Sequence, residues 1–359
     1  MSKPFVTALI DTYNHEAFIE KAIDSVLQQD FPPRETEVLV VDDGSTDHTP
    51  DLIRKFAPRV RLLRKANGGQ ASAFNAAIPE AQGEIIAFLD GDDWWAPGKL
   101  TAVADVLHKN PEVGLVGHAV TQVYLDGRQH TEFLREASRF RITSAEQAKK
   151  FRMRKSFLGT SRMTYRKEVL RQIGPVPEAL TFEADEYLFT LAGLFADVVV
   201  LREAYCFYRL HDRNLFQFSN GSEDGVRRKQ RVLAALARAL DEKMQELRIG
   251  REITKAIVEF VQTEADLLRL MVDGGFPWET VRAELKVMRM VHSDASFAQH
   301  LFSCARLLPA FVLPARSYYR WRQRVSRLDF YKDLRHKFLP FPVPSHVERQ
   351  ERPAPPVRS

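Results

Sequence analysis

The sequence predicts an α/β protein: a mostly parallel central sheet covered by helices, followed by a helical C-terminal extension. Three observations predict it. Short apolar runs alternate with helix-period segments over about the first third of the chain, the pattern of strand–helix–strand units. Several of those runs are apolar throughout, as expected of strands buried on both faces of a parallel sheet. Beyond Gly225 the pattern is almost continuously helical.

Taken in order, residues 5–10 read as the first strand and 19–28 as its helix, with Ile19, Ala22, Ile23, Val26 and Leu27 on one face. Residues 38–41 and 60–63 are the second and third strands, and a helix begins at Ala71. A fourth strand, 85–89, ends directly on Asp90, and Pro97 opens a helix that runs to about Lys109. Two further strands fall at 113–118 and 121–124, before an Asp126-Gly127 turn. A short helix covers 169–173 and a longer one 183–195; strands at 198–201 and 204–210 complete the sheet. The extension divides into helices over 226–247, 253–272 and 278–291. The expected organisation is a catalytic domain over 1–222, a helical extension over 223–300, a basic amphipathic segment over 301–341 and a disordered tail over 342–359.

Composition narrows the function classes. With 45% hydrophobic and 28% charged residues, the chain is an ordinary globular one. No apolar run approaches the roughly 18 residues of a membrane-spanning helix, and the N-terminal stretch lacks the small-residue cleavage site of a signal peptide. Cys206 and Cys304 lie far apart with no metal-ligand spacing, which fits a reduced, cytoplasmic protein. Residues 301–359 carry 12 Lys and Arg against 4 Asp and Glu, so the net +5 belongs to the C-terminus and the first 300 residues are net acidic. A nucleic-acid-binding core is not supported.

Ligands of an open parallel sheet bind beyond the carboxyl ends of its strands. Three strands here end in polar clusters: Asp11-Thr12-Tyr13-Asn14-His15-Glu16, Asp42-Asp43-Gly44-Ser45-Thr46-Asp47, and Asp90-Gly91-Asp92-Asp93. Three carboxylates within four residues repel one another unless a cation compensates. Hard divalent ions such as Mg²⁺ or Mn²⁺ take a few carboxylate oxygens and complete their shell with ligand phosphates. Read alone, the third cluster is more often a solvated acidic turn with Asp93 capping the next helix, and the second a plain strand-to-helix turn. A strand followed by Asp-Asp also suits the acid pocket of a receiver domain, but no strand-end lysine with matching spacing stands out. Asn67-Gly68-Gly69 is either a plain loop or a place where backbone approaches a ligand closely.

The order of these clusters resembles the family 2 glycosyltransferases: Thr12-Tyr13-Asn14, Asp42-Asp43-Gly44-Ser45-Thr46-Asp47, Asn67-Gly68-Gly69 with Asn75, and Phe88-Leu89-Asp90-Gly91-Asp92-Asp93. Downstream, Ala184-Asp185-Glu186 opens a predicted helix, as the family's catalytic acidic motif does. Tyr208-Arg209-Leu210-His211 resembles the Tyr-Arg-x-His element that closes the domain. The resemblance runs from about Lys3 to Asn214. Two departures are Asp11, where the family more often has Pro or Thr, and Ala184, where a second acid is usual.

What the resemblance implies is a GT-A-type, single Rossmann-like domain that performs inverting sugar transfer from a nucleoside-diphosphate-sugar to an acceptor hydroxyl. It implies a divalent metal, Mg²⁺ or Mn²⁺, and a UDP- or dTDP-type donor. By position, Asp185 is the expected base, with Glu183 second and Glu186 third. Asp92 is the expected main metal ligand, Asp90 touches metal, ribose or sugar, Asp93 supports them, and His211 closes over the diphosphate or joins the metal shell. Asp43 is expected to accept the imide N–H of the base. Thr12, Tyr13, Asn14, Glu16, Ser45, Asn67, Gly69 and Gly91 are expected around the nucleotide-sugar. The implied setting is bacterial cell-surface polysaccharide or glycolipid synthesis, on a glycan or lipid-linked acceptor.

Residues 301–314 are apolar but broken by Arg306 and prolines, and Tyr318-Tyr319-Arg320-Trp321-Arg322-Gln323-Arg324 mixes aromatics with arginines. That composition suits an element over 301–341 lying on an anionic membrane surface, at the inner face of the plasma membrane; the other reading is an amphipathic helix covering the catalytic domain. Two rival functions remain. A sugar nucleotidyltransferase would carry a Gly-rich basic loop after the first strand, where Asp11–Glu16 is acidic and glycine-free. A catalytically inactive nucleotide-sugar-binding scaffold would have lost acids that are present here.

Overall fold

The structure is a computed structural model of the 359-residue chain. It describes residues 5–132, 134, 136–153, 158–211, 214, 223–291 and 297–326. The expected tail over 342–359, and the 301–341 segment from 327 on, lie outside the described residues.

Alternation begins the chain as the apolar runs require. Strands β1 (Val6–Thr12), β2 (Thr36–Asp42), β3 (Arg61–Arg64) and β4 (Ile85–Asp90) are separated by helices α1 (Ile19–Leu27), α2 (Thr49–Arg54) and α3 (Gln70–Glu80). The two-residue β5 (Trp94–Trp95) and helix α4 (Lys99–Lys109) follow, then β6 (Val113–Tyr124), β7 (Gln129–Thr131), β8 (Ser138–Phe140) and α5 (Ala145–Met153). The sheet is completed by β9 (Thr164–Arg166), α6 (Lys167–Ile173), α7 (Ala184–Phe195) and β10 (Asp197–Leu210). Strands expected separately at 113–118 and 121–124 form the single β6. Those expected at 198–201 and 204–210 form β10, whose register shifts around Leu201, Ala204 and Cys206 mark the break.

The strands form one mixed sheet in the order β3-β2-β1-β4-β9-β6-β10-β5, with β7 on β6 and β8 on β10. The pairs β3–β2, β2–β1, β1–β4 and β6–β10 are parallel. The three-residue β9 lies antiparallel between β4 and β6 and joins the two parallel groups.

Side-chain alternation sends Val6, Ala8 and Ile10 of β1 into one core with Ile19, Ala22, Ile23 and Val26 of α1 and Leu100, Val103 and Leu107 of α4. Side chains such as Ile23, fully buried there, each contribute roughly 1.5–3 kcal/mol of transfer free energy. On another register, Phe88 of β4 meets Phe74 of α3 at 5.0 Å and Tyr165 of β9 at 5.7 Å between ring centres. With helices packed on its flanks, the parallel part of the sheet carries its polar residues at the carboxyl ends of β1, β2 and β4.

The chain divides into two compact units, residues 1–216 with 232–259, and 217–231 with 260–359. The extension contributes α8 (Glu223–Glu246), α9 (Arg251–Asp273), α10 (Pro277–Val291), α11 (Phe297–Leu307), a 3-10 turn (Leu308–Phe311) and α12 (Ala315–Ser326). The second unit has its own core, in which Tyr318, Tyr319, Ala310 and Ala315 pack with Leu270, Val281 and Ala283. Tyr318 and Tyr319, read from composition as interfacial aromatics, are therefore core residues, and Arg322 pairs with buried Glu284. Among the described residues, no helix is long and apolar enough to cross a membrane.

Candidate active site

Register brings the acidic strand ends together. Asp11 of β1 lies opposite Asp90 of β4, and Thr12 opposite Asp42 of β2. Gly91 N–H donates to the Asp11 carbonyl at 2.8 Å, and Asp43 N–H to the Thr12 carbonyl at 2.9 Å, so the pairing carries on past the strands. A Cβ on Gly91 would stand 2.5 Å from Thr12 Oγ1 and 2.9 Å from His15 Nδ1; only glycine lets the acidic turn lie so close to the first loop.

The first two loops are stitched to each other. Asn14, in left-handed backbone at φ 55°, receives a hydrogen bond from Thr46 N–H on its Oδ1 and donates its own N–H to Ser45 Oγ. Glu16 Oε2 accepts from His48 N–H, and Asp47 Oδ2 accepts from Glu16 N–H. Asn14, Ser45 and Glu16 thus form the floor of one rim. Tyr13 stands 44% exposed beside them. Asp42 is wholly buried: it accepts from Ser45 N–H and pairs with Arg64 at 3.1 Å.

Asp43 holds the Asn67-Gly68-Gly69 loop. Its two oxygens accept from Gly68 N–H and, at 2.7 Å, from Gly69 N–H, while Lys65 Nζ lies 2.7 Å from Oδ1. Asn67 Nδ2 donates to the Asp43 carbonyl. Gly69, at φ 83°, sits where a Cβ would meet Thr181 backbone at 2.9 Å, so the loop packs directly against the approach to α7. A nucleobase imide reaching Asp43 would share or replace these donors.

The Asp90-Gly91-Asp92-Asp93 turn is the densest charge. Carboxylate oxygens of Asp90, Asp92 and Asp93 all lie within 4.8 Å of one another. Asp93 is the anchor: its Oδ2 accepts from Ser161 Oγ at 2.6 Å and its Oδ1 from Arg209 N–H at 2.9 Å. Ser161 Oγ also accepts from Asp90 N–H, and Ser161's carbonyl receives buried Lys99 Nζ at 2.8 Å. Asp92 faces two imidazoles, with His211 Nε2 at 2.9 Å and His15 Nε2 at 3.9 Å from Oδ2. Asn214 Nδ2 is 3.5 Å from the same oxygen and its Oδ1 accepts from His211 N–H. Phe18 packs on His211 with ring centres 4.8 Å apart.

The electrostatics differ between the acids. Burial, then repulsion from Asp11 and Asp93, pushes Asp90 well above the usual carboxylate range; burial and Asp92 do the same to Asp93. Burial lifts Asp11 to about 7, and its Oδ1 is buried with no hydrogen-bond partner. Burial also opposes ionisation of Asp92, but the imidazoles of His15 and His211 outweigh it and hold that carboxyl below its ordinary value. Asp90 and Asp93 driven toward protonation beside an ionised Asp92, with the orphaned Asp11 oxygen behind them, have the donor chemistry of a hard divalent cation site. Asp90 and Asp92 fit that role, since both Asp93 oxygens are already engaged.

Asp185 lies in the first turn of α7, partly exposed. Its Oδ2 accepts from Thr160 N–H at 3.2 Å and Oγ1 at 3.3 Å, and its Oδ1 from Glu186 N–H. Burial, then the charge of Glu186, raises it to about 6. Glu183 is buried in left-handed backbone at φ 65°, a conformation a non-glycine residue adopts at a cost of order 1–3 kcal/mol. Gln70 ties the region together, donating from Nε2 to Thr160 Oγ1 and accepting from Ala184 N–H. Lys65, Gln70, Lys99, Thr160 and Ser161 were not singled out in the sequence; each makes its contact with a residue 22 or more positions away.

Residues 7–174 match the sequence profile described as glycosyl transferase family 2. The chain is 32% identical over 218 residues to an uncharacterized glycosyltransferase of Nostoc sp., a match covering 58% of this chain and 66% of that protein, just under two thirds of its length. Among solved structures, Staphylococcus aureus TarS 1-349 in complex with UDP-GlcNAc is similar with TM-score 0.53 at 19% identity, covering 88% of this chain and 92% of that one. The mannosyltransferase PcManGT from Pyrobaculum calidifontis, in complex with GDP-Man and Mn²⁺, is similar with TM-score 0.52 at 20% identity, covering 93% and 84%. These two likenesses are of fold.

Proposed function

We propose that this chain is a member of glycosyl transferase family 2 and that it transfers a sugar from a nucleoside-diphosphate-sugar to an acceptor hydroxyl with inversion at the anomeric carbon. The observation that carries this reading is the meeting of the Asp90-Gly91-Asp92-Asp93 turn, the Asp43 loop and Asp185 along one side of a single sheet.

In this reading the first two loops and the Asp43 cradle receive the nucleoside, with a UDP- or dTDP-type base on Asp43. Asp92 and Asp90 hold a divalent cation, Mg²⁺ or Mn²⁺, which when bound neutralises charge growing on the departing diphosphate. Asp93 fixes the turn through Ser161 and Arg209. His211 orients Asp92 or joins its shell. Asp185 takes the acceptor proton: held by Thr160 and raised to about 6, it is ionised at neutral pH yet basic enough to accept. Glu183 and Glu186 set the field and the backbone geometry around it.

The similarity to TarS in complex with UDP-GlcNAc and to the mannosyltransferase in complex with GDP-Man and Mn²⁺ supports a nucleotide-sugar donor with a divalent metal. The acceptor is a glycan or lipid-linked glycan of a bacterial cell surface, met at the cytoplasmic face of the membrane. Incubating the protein with a panel of nucleotide-sugars and Mn²⁺ or Mg²⁺ tests the reading through nucleoside diphosphate release by slow hydrolysis. Release from at least one donor that stops with EDTA is expected. Release of pyrophosphate from a sugar phosphate and a nucleoside triphosphate would instead mark a nucleotidyltransferase.

A further inference from the structure

The second unit carries a surface that the transfer chemistry does not use. Helix α10 turns one stripe outward, Trp278, Arg282, Leu285 and Arg289, at the 4-3-4 spacing of a single helix face. Trp278 is 61% and Leu285 37% exposed, and beside them Phe276 is 68% and Phe311 61% exposed. Together these residues line an open groove of about 690 Å³, with Lys286 at its side. The 3-10 turn that supplies Phe311 also leaves Leu308 and Val312 in water.

Charge on the helix is sorted. Its two carboxylates are engaged elsewhere: Glu279 accepts from Phe276 N–H and lies 3.5 Å from Arg269, and buried Glu284 pairs with Arg322. Among the described residues, the groove lining therefore contains three basic side chains and no acidic one. An apolar patch of this kind, bearing large aromatics in water, marks an interaction surface. Aromatic rings flanked by arginines match the layered chemistry of a bilayer interface, where rings enter the acyl boundary and guanidinium groups meet anionic headgroups.

We propose that the α10 face and the Leu308–Phe311 turn form a docking surface for an anionic lipid bilayer. The proposal rests on the second unit alone and is independent of the reaction assigned to the acidic site. Of the 301–341 segment it keeps the Leu308–Phe311 turn, leaves out Tyr318 and Tyr319, which are core residues, and adds the outer face of α10.

The test is flotation of the full chain with vesicles of phosphatidylcholine, alone or with phosphatidylglycerol. Basic residues beyond 326 can also attract anionic vesicles, so variants decide. Trp278→Ser with Phe311→Ser should lower partitioning at least about tenfold, and Arg282→Glu with Arg289→Glu should do the same and remove most of its salt sensitivity. The charge-reversal pair alters only exposed side chains and keeps the test valid if the aromatic pair fails to fold. Nucleoside diphosphate binding should be unchanged in both. Partitioning equal to that of the unaltered chain in both variants would overturn the proposal. So would a dimer that Trp278→Ser with Phe311→Ser dissociates without any effect on flotation, which would assign the face to a second copy of the chain.

Discussion

The Ser161 hydroxyl donates to Asp93 Oδ2 at 2.6 Å while accepting Asp90 N–H at 3.0 Å. One side chain, 68 residues downstream of Asp93, thus fixes both ends of the acidic turn. Hydrogen bonds to charged groups are worth about 1.5–3 kcal/mol. Ser161→Ala is therefore expected to weaken metal-dependent donor binding by roughly tenfold or more while leaving the fold intact. Titration calorimetry checks it; an unchanged affinity would mean the turn holds its shape without Ser161.

Asp185 gives a pH dependence of definite sign. Its carboxyl is raised to about 6, first by burial and then by Glu186, and only the ionised form can accept a proton. The rate should fall as pH drops through about 6 and level off above it. Glu186→Gln removes the neighbouring charge, so this limb should move to lower pH. Asp185→Asn should lower kcat by about 10²–10⁴-fold with donor affinity kept. A limb that stays put in Glu186→Gln would contradict the assignment.

Gly69→Ala tests the cradle. The new methyl group would meet Thr181 backbone at 2.9 Å in a left-handed conformation, and Gly69 N–H is one of the donors that hold Asp43. A loss of roughly 1–3 kcal/mol in stability is expected, with donor binding weakened beyond what the melting shift explains. Urea unfolding beside calorimetry separates the two effects.

Strands β1, β2 and β4 and their acidic ends were legible because each is a local signal: an apolar run, then a carboxylate. Asp90, Asp92 and Asp43 could be singled out for that reason. Ser161, Thr160, Lys65 and Gln70 could not, because a lone Ser or Lys gains its role only when folding brings a distant partner to it. The three-residue β9 escaped notice for a related reason. Thr164–Arg166 is too short for a periodic pattern, and its pairing with β4 and β6 defines it. Tyr318 and Tyr319 show the opposite failure, a composition that suited a membrane interface and was used in a core.

His211 reaches Asp92 from beyond the end of β10, with Asn214 and Phe18 steadying it. Together with His15, it keeps Asp92 ionised in buried surroundings. His211→Ala is expected to raise the metal concentration needed for half-maximal activity by about 10–100-fold, the usual consequence of losing a partner that orients a ligand. A metal titration of activity checks it. Loss of activity that excess Mn²⁺ does not restore would place His211 outside the metal's support.

The most direct measurement is calorimetric titration of a nucleoside diphosphate, UDP first, into the protein with Mn²⁺ and with EDTA, repeated on Asp92→Ala and Asp185→Asn. The expected result is binding that requires Mn²⁺, is lost in Asp92→Ala and persists in Asp185→Asn. Equal affinity in EDTA, or an Asp92→Ala variant that binds like the unaltered chain, would contradict the assignment of the acidic turn to metal and diphosphate.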